Sequence, residues 1–296
     1  MTKIAFIGLG NMGAGMAANQ AKAGNEVKAF DLSQAAVDKA VEAGCAAAPS
    51  VADAVKDADL VITMLPAGPH VRIVYGEIIG TAPTSALLID CSTIEVEIAR
   101  EVAAKAKAAG YRFADAPVSG GTAAAAAGTL AFMVGCDEAD FPAVEAALKP
   151  MSRITIRAGD HGAGQAAKIC NNMLLGISMI GTCEAIALAK KLGLDPARFF
   201  DIASQSSGQC WSMTSYFPEP GVGPNSPADR GFEGGFATAM MLKDLNLSQA
   251  ASRSVHAETP MGAKAQGIYQ AFSDAGFANK DFSAIIKSLE GKTDEL

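Results

Sequence analysis

Two polar residues, Lys168 and Asn172, stand four positions apart on a largely apolar segment, directly after the glycine-rich residues 159–164. In a helix this spacing places both side chains on one face, one turn from the glycine-rich start. A lysine held in a cleft can donate and accept a proton, whereas a lysine at a helix start more often extends its amine into solvent. The spacing alone leaves both interpretations open, so the rest of the chain must decide between them.

The segment that carries this pair, residues 165–192, predicts one long helix. It contains no proline, and at 1.5 Å per residue its 28 residues would span about 42 Å. Apolar residues fall on every side, which is typical of a helix that is buried all round. A membrane span is the alternative, because the apolar run approaches about 20 residues. Four polar residues argue against a span, so we expect no membrane partner: Lys168, Asn171, Asn172 and Glu184.

Near the N-terminus, a short strand-like run at residues 3–7 leads into a loop with a GxGxxG pattern. The loop comprises Gly8, Leu9, Gly10, Asn11, Met12 and Gly13. An alanine-rich helix and a second strand at residues 26–30 follow it. In a dinucleotide-binding fold, Gly8 allows the tight turn, Gly10 lets the backbone approach a pyrophosphate, and Gly13 lets helix and strand pack closely. This order therefore predicts a nucleotide site whose anion lies at the helix start.

Asp31 ends the second strand, where a carboxylate can accept hydrogen bonds from both ribose hydroxyls of an adenosine. A 2′-phosphate would meet like charge there, and residues 32–34 contain no arginine to compensate. The sequence therefore favours NAD over NADP. The alternative is an ordinary solvated acid at a strand end.

Further strands are predicted at residues 59–65, 86–90, 111–115, 130–134 and 153–156. Ligands of open α/β sheets bind at the carboxyl ends of the strands. Leu65, Pro66 and Thr93 follow such ends, so we expect them to line the cofactor groove, although each also suits a plain turn. Ser92 and Glu95 have the spacing of a capping box that would open a helix running to residue 109.

Ser119, Gly120 and Gly121 follow the strand at residues 111–115. Consecutive N–H groups together with a hydroxyl can form an anion nest that suits a small carboxylate. The same three residues also suit a simple turn, and their types alone do not exclude it.

The order of these elements predicts a Rossmann-type α/β dinucleotide-binding domain at residues 1–162, followed by an all-α domain at residues 163–296. The long helix joins the two. After it, strand patterns stop, and helices are predicted at residues 196–204, 237–255, 260–275 and 282–289. The second domain is small and depends on the long helix, so burial of that helix could require another subunit.

Composition excludes several classes of function. Half of the 296 residues are hydrophobic, 19% are charged and the net charge is −7, which excludes a disordered chain and disfavours nucleic acid as a partner. Six scattered cysteines without a CxxC pair suit reduced thiols, and no secretory signal is visible, so a cytoplasmic location is expected. His70, His161 and His256 lie far apart without neighbouring ligands, so no metal site is expected.

Four motifs occur in order along the chain: residues 6–13 (FIGLGNMG), 115–121 (DAPVSGG), 159–172 (glycines, Lys168 and Asn172) and 241–245 (MLKDL). Together they resemble the β-hydroxyacid dehydrogenase family across almost the whole chain. The resemblance implies an NAD-dependent dehydrogenase that forms homodimers or homotetramers through its helical domain. Within the family, residues 207–212 and 216–222 favour a branch that acts in valine breakdown.

The resemblance also implies a role for each matched residue. Lys168 would be the catalytic acid/base and Asn172 its orienting partner, while Ser119, Gly120 and Gly121 would hold the substrate carboxylate. The glycine loop and Asp31 would hold NAD. Further cofactor contacts would come from Leu65, Pro66, Thr93 and Lys243, the last of which otherwise has the pattern of a surface charge. Lys168 must be neutral to accept a proton, which burial favours.

A carboxylate nest and a proton carrier that engage opposite ends of one small molecule suit a three-carbon hydroxy acid. Trp211, the only tryptophan, would offer an apolar wall to a methyl group at C2, so 3-hydroxyisobutyrate is the expected substrate and methylmalonate semialdehyde its product. Trp211 could instead pack in the core or between subunits. Two other functions stay open. One is an NAD-dependent reductase or dehydrogenase of another small substrate of this class, such as tartronate semialdehyde, L-serine or succinic semialdehyde, and the other is a non-catalytic nucleotide-binding module.

Overall fold

The computed structural model describes residues 1–296, and the chain divides into two compact units, Met1–Lys168 and Ile169–Leu296. The first is an α/β unit and the second is helical, so the predicted fold class is confirmed. One helix runs across the division between the units. The predicted boundary after residue 162 lies six residues before that division (168 − 162) and stays a prediction.

The first unit contains a nine-stranded sheet. Its strands are β1 (Lys3–Ile7), β2 (Glu26–Phe30), β3 (Ala46–Ala47), β4 (Leu60–Thr63), β5 (Leu87–Asp90), β6 (Arg112–Asp115), β7 (Val118–Ser119), β8 (Leu130–Gly135) and β9 (Ser152–Gly159). The spatial order is β3-β2-β1-β4-β5-β6-β8-β7, with β9 paired to β8. All pairs from β3 to β6 are parallel, whereas β8 runs antiparallel to β6 and β7.

The central strands are short runs of apolar residues that are buried on both faces, as expected for a parallel sheet covered by helices. The covering helices are α1 (Gly13–Lys22), α2 (Gln34–Glu42), α3 (Val51–Val55), α4 (Gly68–Ile78), α5 (Val96–Ala108), α6 (Gly121–Ala127) and α7 (Phe141–Leu148). One core contains Phe6, Met16 and Phe132, and the other contains Val61, Tyr75 and Phe113. The registers bring the ends of β1, β2 and β4 level with one another at Ile7, Phe30 and Thr63.

The predicted capping box at Ser92 is wrong, because α5 begins only at Val96 and its N-cap residue, Glu95, makes no side-chain cap. The Ser92 hydroxyl donates instead to the Asp90 carboxylate at 2.5 Å and accepts from the Leu65 N–H at 2.8 Å. Ser92 therefore ties two strand-end loops together rather than starting a helix.

The second unit is built on the long helix α8 (Ala163–Lys191), whose first turns belong to the first unit. The other helices are α9 (Pro196–Ala203), α10 (Trp211–Thr214), α11 (Thr238–Ser254), α12 (Pro260–Phe272) and α13 (Ile285–Glu290). Short 3-10 turns include Pro227–Arg230 and Phe282–Ala284. Their core is formed around large buried side chains such as Phe217, Tyr269 and Phe282.

Helix α8 is not buried all round within one chain, contrary to the prediction. Met179, Cys183 and Ile186 are buried, but Leu174 is 63% exposed and Leu188 is 59% exposed. By length and composition alone α8 could cross a membrane, but core helices of soluble proteins can be equally long and apolar. Of its most apolar 18-residue stretch, 44% is buried inside the chain. The exposed leucines define one apolar side of α8 that the chain itself does not cover.

The start of α8 is held by a buried carboxylate at the end of β6. Asp115 accepts hydrogen bonds from the Gly162 N–H (2.6 Å) and from the Gln165 N–H (3.0 Å), one to each oxygen. Gln165 in turn donates from its amide to the Ser92 carbonyl at 2.7 Å and accepts from the Ile94 N–H at 3.1 Å. These bonds satisfy N–H groups that a helix start leaves without partners, and they fix the first turn of α8 against the sheet.

Burial raises the pKa of the Asp115 carboxyl from 3.8 to about 6, and the two N–H donors only partly offset this effect. Between about pH 4 and pH 6 the folded chain therefore binds more protons at this group than the unfolded chain does. The contribution of the group to the free energy of unfolding falls as pH rises through that window, by roughly 3 kcal/mol.

We predict that Asp115→Asn removes this pH dependence, because an amide does not titrate. The free energy of unfolding from urea titrations at pH 4, 5, 6 and 7 should fall with pH in the wild type relative to the variant. The variant should also be less stable at pH 4, because its amide nitrogen opposes one of the two N–H donors. A constant difference between the two proteins across the pH range would contradict the assignment.

Candidate active site

The glycine loop has the geometry that a dinucleotide needs. Gly8 has φ +94°, and a Cβ there would lie 2.3 Å from the Met64 carbonyl oxygen. A Cβ on Gly13 would lie 2.0 Å from the Gly8 carbonyl oxygen, whereas a Cβ on Gly10 would meet nothing within 4 Å. The loop is therefore closed tightly on the sheet side and open at Gly10, where a phosphate can approach the backbone. Helix α1 begins at Gly13, so its N-terminal end, where helices favour anions, directly follows this loop.

Asp31 lies directly beside this loop. One carboxylate oxygen accepts from the Leu9 N–H at 2.7 Å, and the other accepts from the Ser33 N–H at 2.8 Å. The carboxylate is thereby held in one orientation at the end of β2. The next side chain, Leu32, is 94% exposed. The residues present thus fit the adenosine half of a dinucleotide.

The loops after β4 and β5 lie at the same edge of the sheet as the glycine loop. Leu65 and Thr93 are half-buried in these loops and Pro66 is exposed. Beneath them, the buried Asp90 carboxylate accepts from the Thr63 hydroxyl at 2.7 Å and from the Ser92 hydroxyl. This buried network makes the edge rigid, so the predicted groove residues are brought together with the glycine loop.

Ser119, Gly120 and Gly121 follow β6 at the point where the chain turns from β7 into α6. Ser119 pairs with Ala131 of β8, which fixes its backbone. Gly120 has φ +132° and Gly121 has φ +69°, conformations that favour glycine at both positions. The three residues form an accessible turn at the edge of the sheet, with backbone N–H groups and one hydroxyl.

Lys168 lies on α8 three residues after Gln165, the residue that anchors the helix start. It is only 7% exposed, so the interpretation of a lysine extended into solvent is wrong. Its place on the helix is fixed by the bonds of Asp115 and Gln165 described above. A buried amine on a rigidly anchored helix is suited to proton transfer.

Asn172 is one turn further along α8 and is 2% exposed. Its amide donates a short hydrogen bond to the Asp244 carboxylate on α11, while its carbonyl oxygen accepts from the Asn171 amide at 2.9 Å. Asp244 is 5% exposed and the neighbouring Lys243 is half-buried, so neither side chain is a fully solvated surface charge. Sequence reasoning missed Asp244 as the partner of Asn172, although its place in the fourth motif was a signal.

Trp211 begins α10 and is 50% exposed, so it is not a core residue. Its ring stacks on Tyr216 with centroids 4.9 Å apart. The Tyr216 hydroxyl donates to the Asp281 carboxylate at 2.8 Å, and the same oxygen accepts from the Phe236 N–H at 2.7 Å. An exposed tryptophan is thus held in place by a buried carboxylate through one intervening ring.

No group of three or more His, Cys, Asp or Glu side chains lies together in an arrangement that could hold a metal ion. His161 is used structurally, since it bonds to the Phe113 carbonyl at 3.1 Å and stacks on the Phe113 ring.

Comparisons with known proteins identify the family. Residues 3–159 match the family described as the NAD binding domain of 6-phosphogluconate dehydrogenase, and residues 162–289 match the family described as NAD-binding of NADP-dependent 3-hydroxyisobutyrate dehydrogenase. The 3-hydroxyisobutyrate dehydrogenase of Pseudomonas aeruginosa is 50% identical, over 99% of this chain and 100% of that protein. The NAD-dependent L-serine dehydrogenase of the same organism is 47% identical, over 98% of each.

A solved structure of Mycobacterium tuberculosis 3-hydroxyisobutyrate dehydrogenase with L-serine is similar throughout. Its TM-score is 0.95 at 47% identity, and the match covers 98% of this chain and 99% of that one. With full-length identity of this size and family matches over both units, the chain belongs to the β-hydroxyacid dehydrogenase family and is an NAD(P)-binding enzyme.

Proposed function

We propose that this enzyme oxidises 3-hydroxyisobutyrate to methylmalonate semialdehyde with NAD. The observation that carries the proposal is the buried Lys168 on a helix anchored to the carboxyl edge of a dinucleotide-binding sheet. A catalytic amine, a nucleotide loop and a carboxylate nest are the three parts that oxidation of a small hydroxy acid needs.

Within this proposal, the glycine loop and Asp31 hold the dinucleotide, with contacts from Leu65, Pro66, Thr93 and Lys243. The bound nicotinamide supplies the acceptor for the hydride that leaves C3. Lys168 accepts the proton of the C3 hydroxyl in its neutral form and returns it in the reverse reaction. As an ammonium it also stabilises negative charge on the substrate oxygen.

Asn172 serves as the orienting partner of Lys168, with its amide fixed by Asp244. Ser119, Gly120 and Gly121 bind the substrate carboxylate through their N–H groups and the serine hydroxyl. A substrate tied at its carboxylate and at its hydroxyl has only its C2 substituent left for recognition. Trp211 is proposed as the apolar contact for that substituent, because its ring is exposed and held in place.

L-Serine is the second candidate substrate, because one relative is an L-serine dehydrogenase and one solved relative contains L-serine. Serine differs at C2 by an ammonium in place of a methyl group. An apolar wall at Trp211 would favour the methyl group, by about 10- to 200-fold for a single such contact.

A substrate panel tests this assignment. We predict that kcat/KM, followed by NADH absorbance, is higher for 3-hydroxyisobutyrate than for L-serine, tartronate or 4-hydroxybutyrate, with slow turnover of serine. Trp211→Ala should bring the kcat/KM values for 3-hydroxyisobutyrate and serine closer together, because the apolar contact is lost. An equal or higher value for serine in the wild type would transfer the assignment to the serine dehydrogenases.

Lys168→Ala should lower kcat by roughly 10²- to 10⁴-fold, the usual effect of losing a general acid/base. Coenzyme binding, measured by calorimetry, should change little. Lys191→Ala is the matched control, because that lysine lies on the exposed end of the same helix. Near-normal turnover of the Lys168 variant would exclude its role as the proton carrier, and EDTA should leave the activity of the wild type intact.

Coenzyme preference follows from Asp31, which would repel a 2′-phosphate. The wild type should therefore show a higher kcat/KM with NAD than with NADP, and Asp31→Ala should narrow this ratio mainly by weakening NAD. Because Leu9 and Ser33 donate to the carboxylate, Asp31→Asn is the more conservative comparison. A wild type that prefers NADP would show that Asp31 does not bind the ribose hydroxyls.

We propose further that a second copy of the chain covers the exposed side of α8, giving a homodimer or homotetramer. Leu174 and Leu188 are too exposed for a helix of this apolar character. Sedimentation velocity should show a dimer or larger species that Leu174→Lys weakens; a monomeric wild type at micromolar concentration would contradict this.

A cytoplasmic location and a role in valine breakdown are part of the proposed function.

A further inference from the structure

Helix α6 begins at the proposed carboxylate nest, and the other end of the helix is held from outside. The Asn19 amide on α1 donates to the Ala125 carbonyl at 2.8 Å and to the Ala126 carbonyl at 3.3 Å. These carbonyls belong to the last turn of α6, where backbone acceptors have no partner within the helix. One side chain therefore satisfies two of the open acceptors of this short helix.

The backbones of α1 and α6 also approach each other closely. A Cβ on Gly15 of α1 would lie 2.9 Å from the Ala125 carbonyl carbon and 2.9 Å from the Ala126 nitrogen. Ala125 itself is fully buried in the core shared with Met16 and Phe132. With backbone against backbone on one side and the Asn19 amide at the end, α6 has little freedom to slide along α1.

The residue next to Asn19 makes a comparable bond to a different helix. Gln20 is fully buried, and its amide donates to the Ala147 carbonyl in the last turn of α7 at 2.8 Å. No proposed site residue lies on α7. Neighbouring amides on one helix thus hold two helices, of which only α6 leads to the nest.

We propose that Asn19 is a positioning residue for the substrate carboxylate. By fixing the C-terminal end of α6 against α1, its amide sets the place of Ser119, Gly120 and Gly121 at the opposite end of that seven-residue helix. Because α1 itself begins at the glycine loop, the cofactor loop and the carboxylate nest share one rigid support. This inference rests on the proposed assignment of the nest to the substrate carboxylate.

Asn19→Ala and the isosteric Asn19→Asp test the proposal. The net free energy of one such hydrogen bond corresponds to a change of about 3- to 10-fold in an equilibrium constant. KM for 3-hydroxyisobutyrate should therefore rise by that factor in Asn19→Ala. The rise should be larger in Asn19→Asp, whose carboxylate would face two carbonyl oxygens. The Kd of isobutyrate, which has the carboxylate but not the reacting hydroxyl, should rise in parallel by calorimetry. In both variants kcat and the Kd of NAD should stay within about 2-fold, since neither the amine nor the glycine loop is altered.

Gln20→Ala is the matched control, because it removes a similar bond from the same helix. It should lower Tm at least as much as Asn19→Ala does, because Gln20 is fully buried and also accepts from the Asn25 amide, but leave the KM of the hydroxy acid unchanged. Unchanged KM and isobutyrate Kd in both Asn19 variants would overturn the proposal, as would an equal KM rise in Gln20→Ala. Ser119→Ala distinguishes the positioning role of Asn19 from the assignment of the nest to the substrate carboxylate. If Ser119→Ala raises KM while the Asn19 variants do not, only the positioning role fails. If Ser119→Ala leaves KM unchanged, the assignment of the nest itself is wrong.

Discussion

The buried carboxylate of Asp115 is the interaction on which the start of α8, and so the position of Lys168, depends. It stands at the end of a central strand and receives both N–H groups that open α8. A carboxylate with no exposure to water is costly, and the helix start is one of the few environments that partly compensates it. Because Ser119 lies only four positions after Asp115, the same strand end that fixes the helix of Lys168 also leads into the nest. Under the proposed function, both ends of the substrate would therefore be positioned by one strand end.

The expected cofactor groove consists of loops, yet hydrogen bonds from buried side chains hold these loops in place. The loops after β4 and β5 are joined by Ser92, and the loop after β5 is joined to α8 by Gln165. Each bond connects backbone to a side chain that is itself buried. Loops supported in this way do not need a ligand to become ordered, so binding energy remains available for the substrate rather than for ordering the protein.

Much of this architecture could be predicted from the sequence, because it follows from local patterns. Apolar runs gave the central strands, the glycine spacing gave the turn before α1, and the absence of proline gave α8. The errors have a common cause: partners that are distant in sequence. Ser92 has the spacing of a helix cap but bonds to Leu65 instead, and Asp244 has the pattern of a surface charge but meets Asn172 across 72 residues. Which side of α8 is exposed could not be predicted for a related reason, since composition does not show which side of an apolar helix its own chain covers.

The two amides of α1 have a consequence for how the chain acquires its structure. Asn19 meets its partner 106 residues later, and Gln20 meets its partner 127 residues later. During synthesis, the residues of α1 are therefore made long before those of α6 and α7, whose carbonyls the two amides bind. Contacts of such long separation are slow to form, because the closure of a large loop must precede them. The contacts that hold α6 and α7 against α1 can thus form only after the chain has been made as far as Ala147.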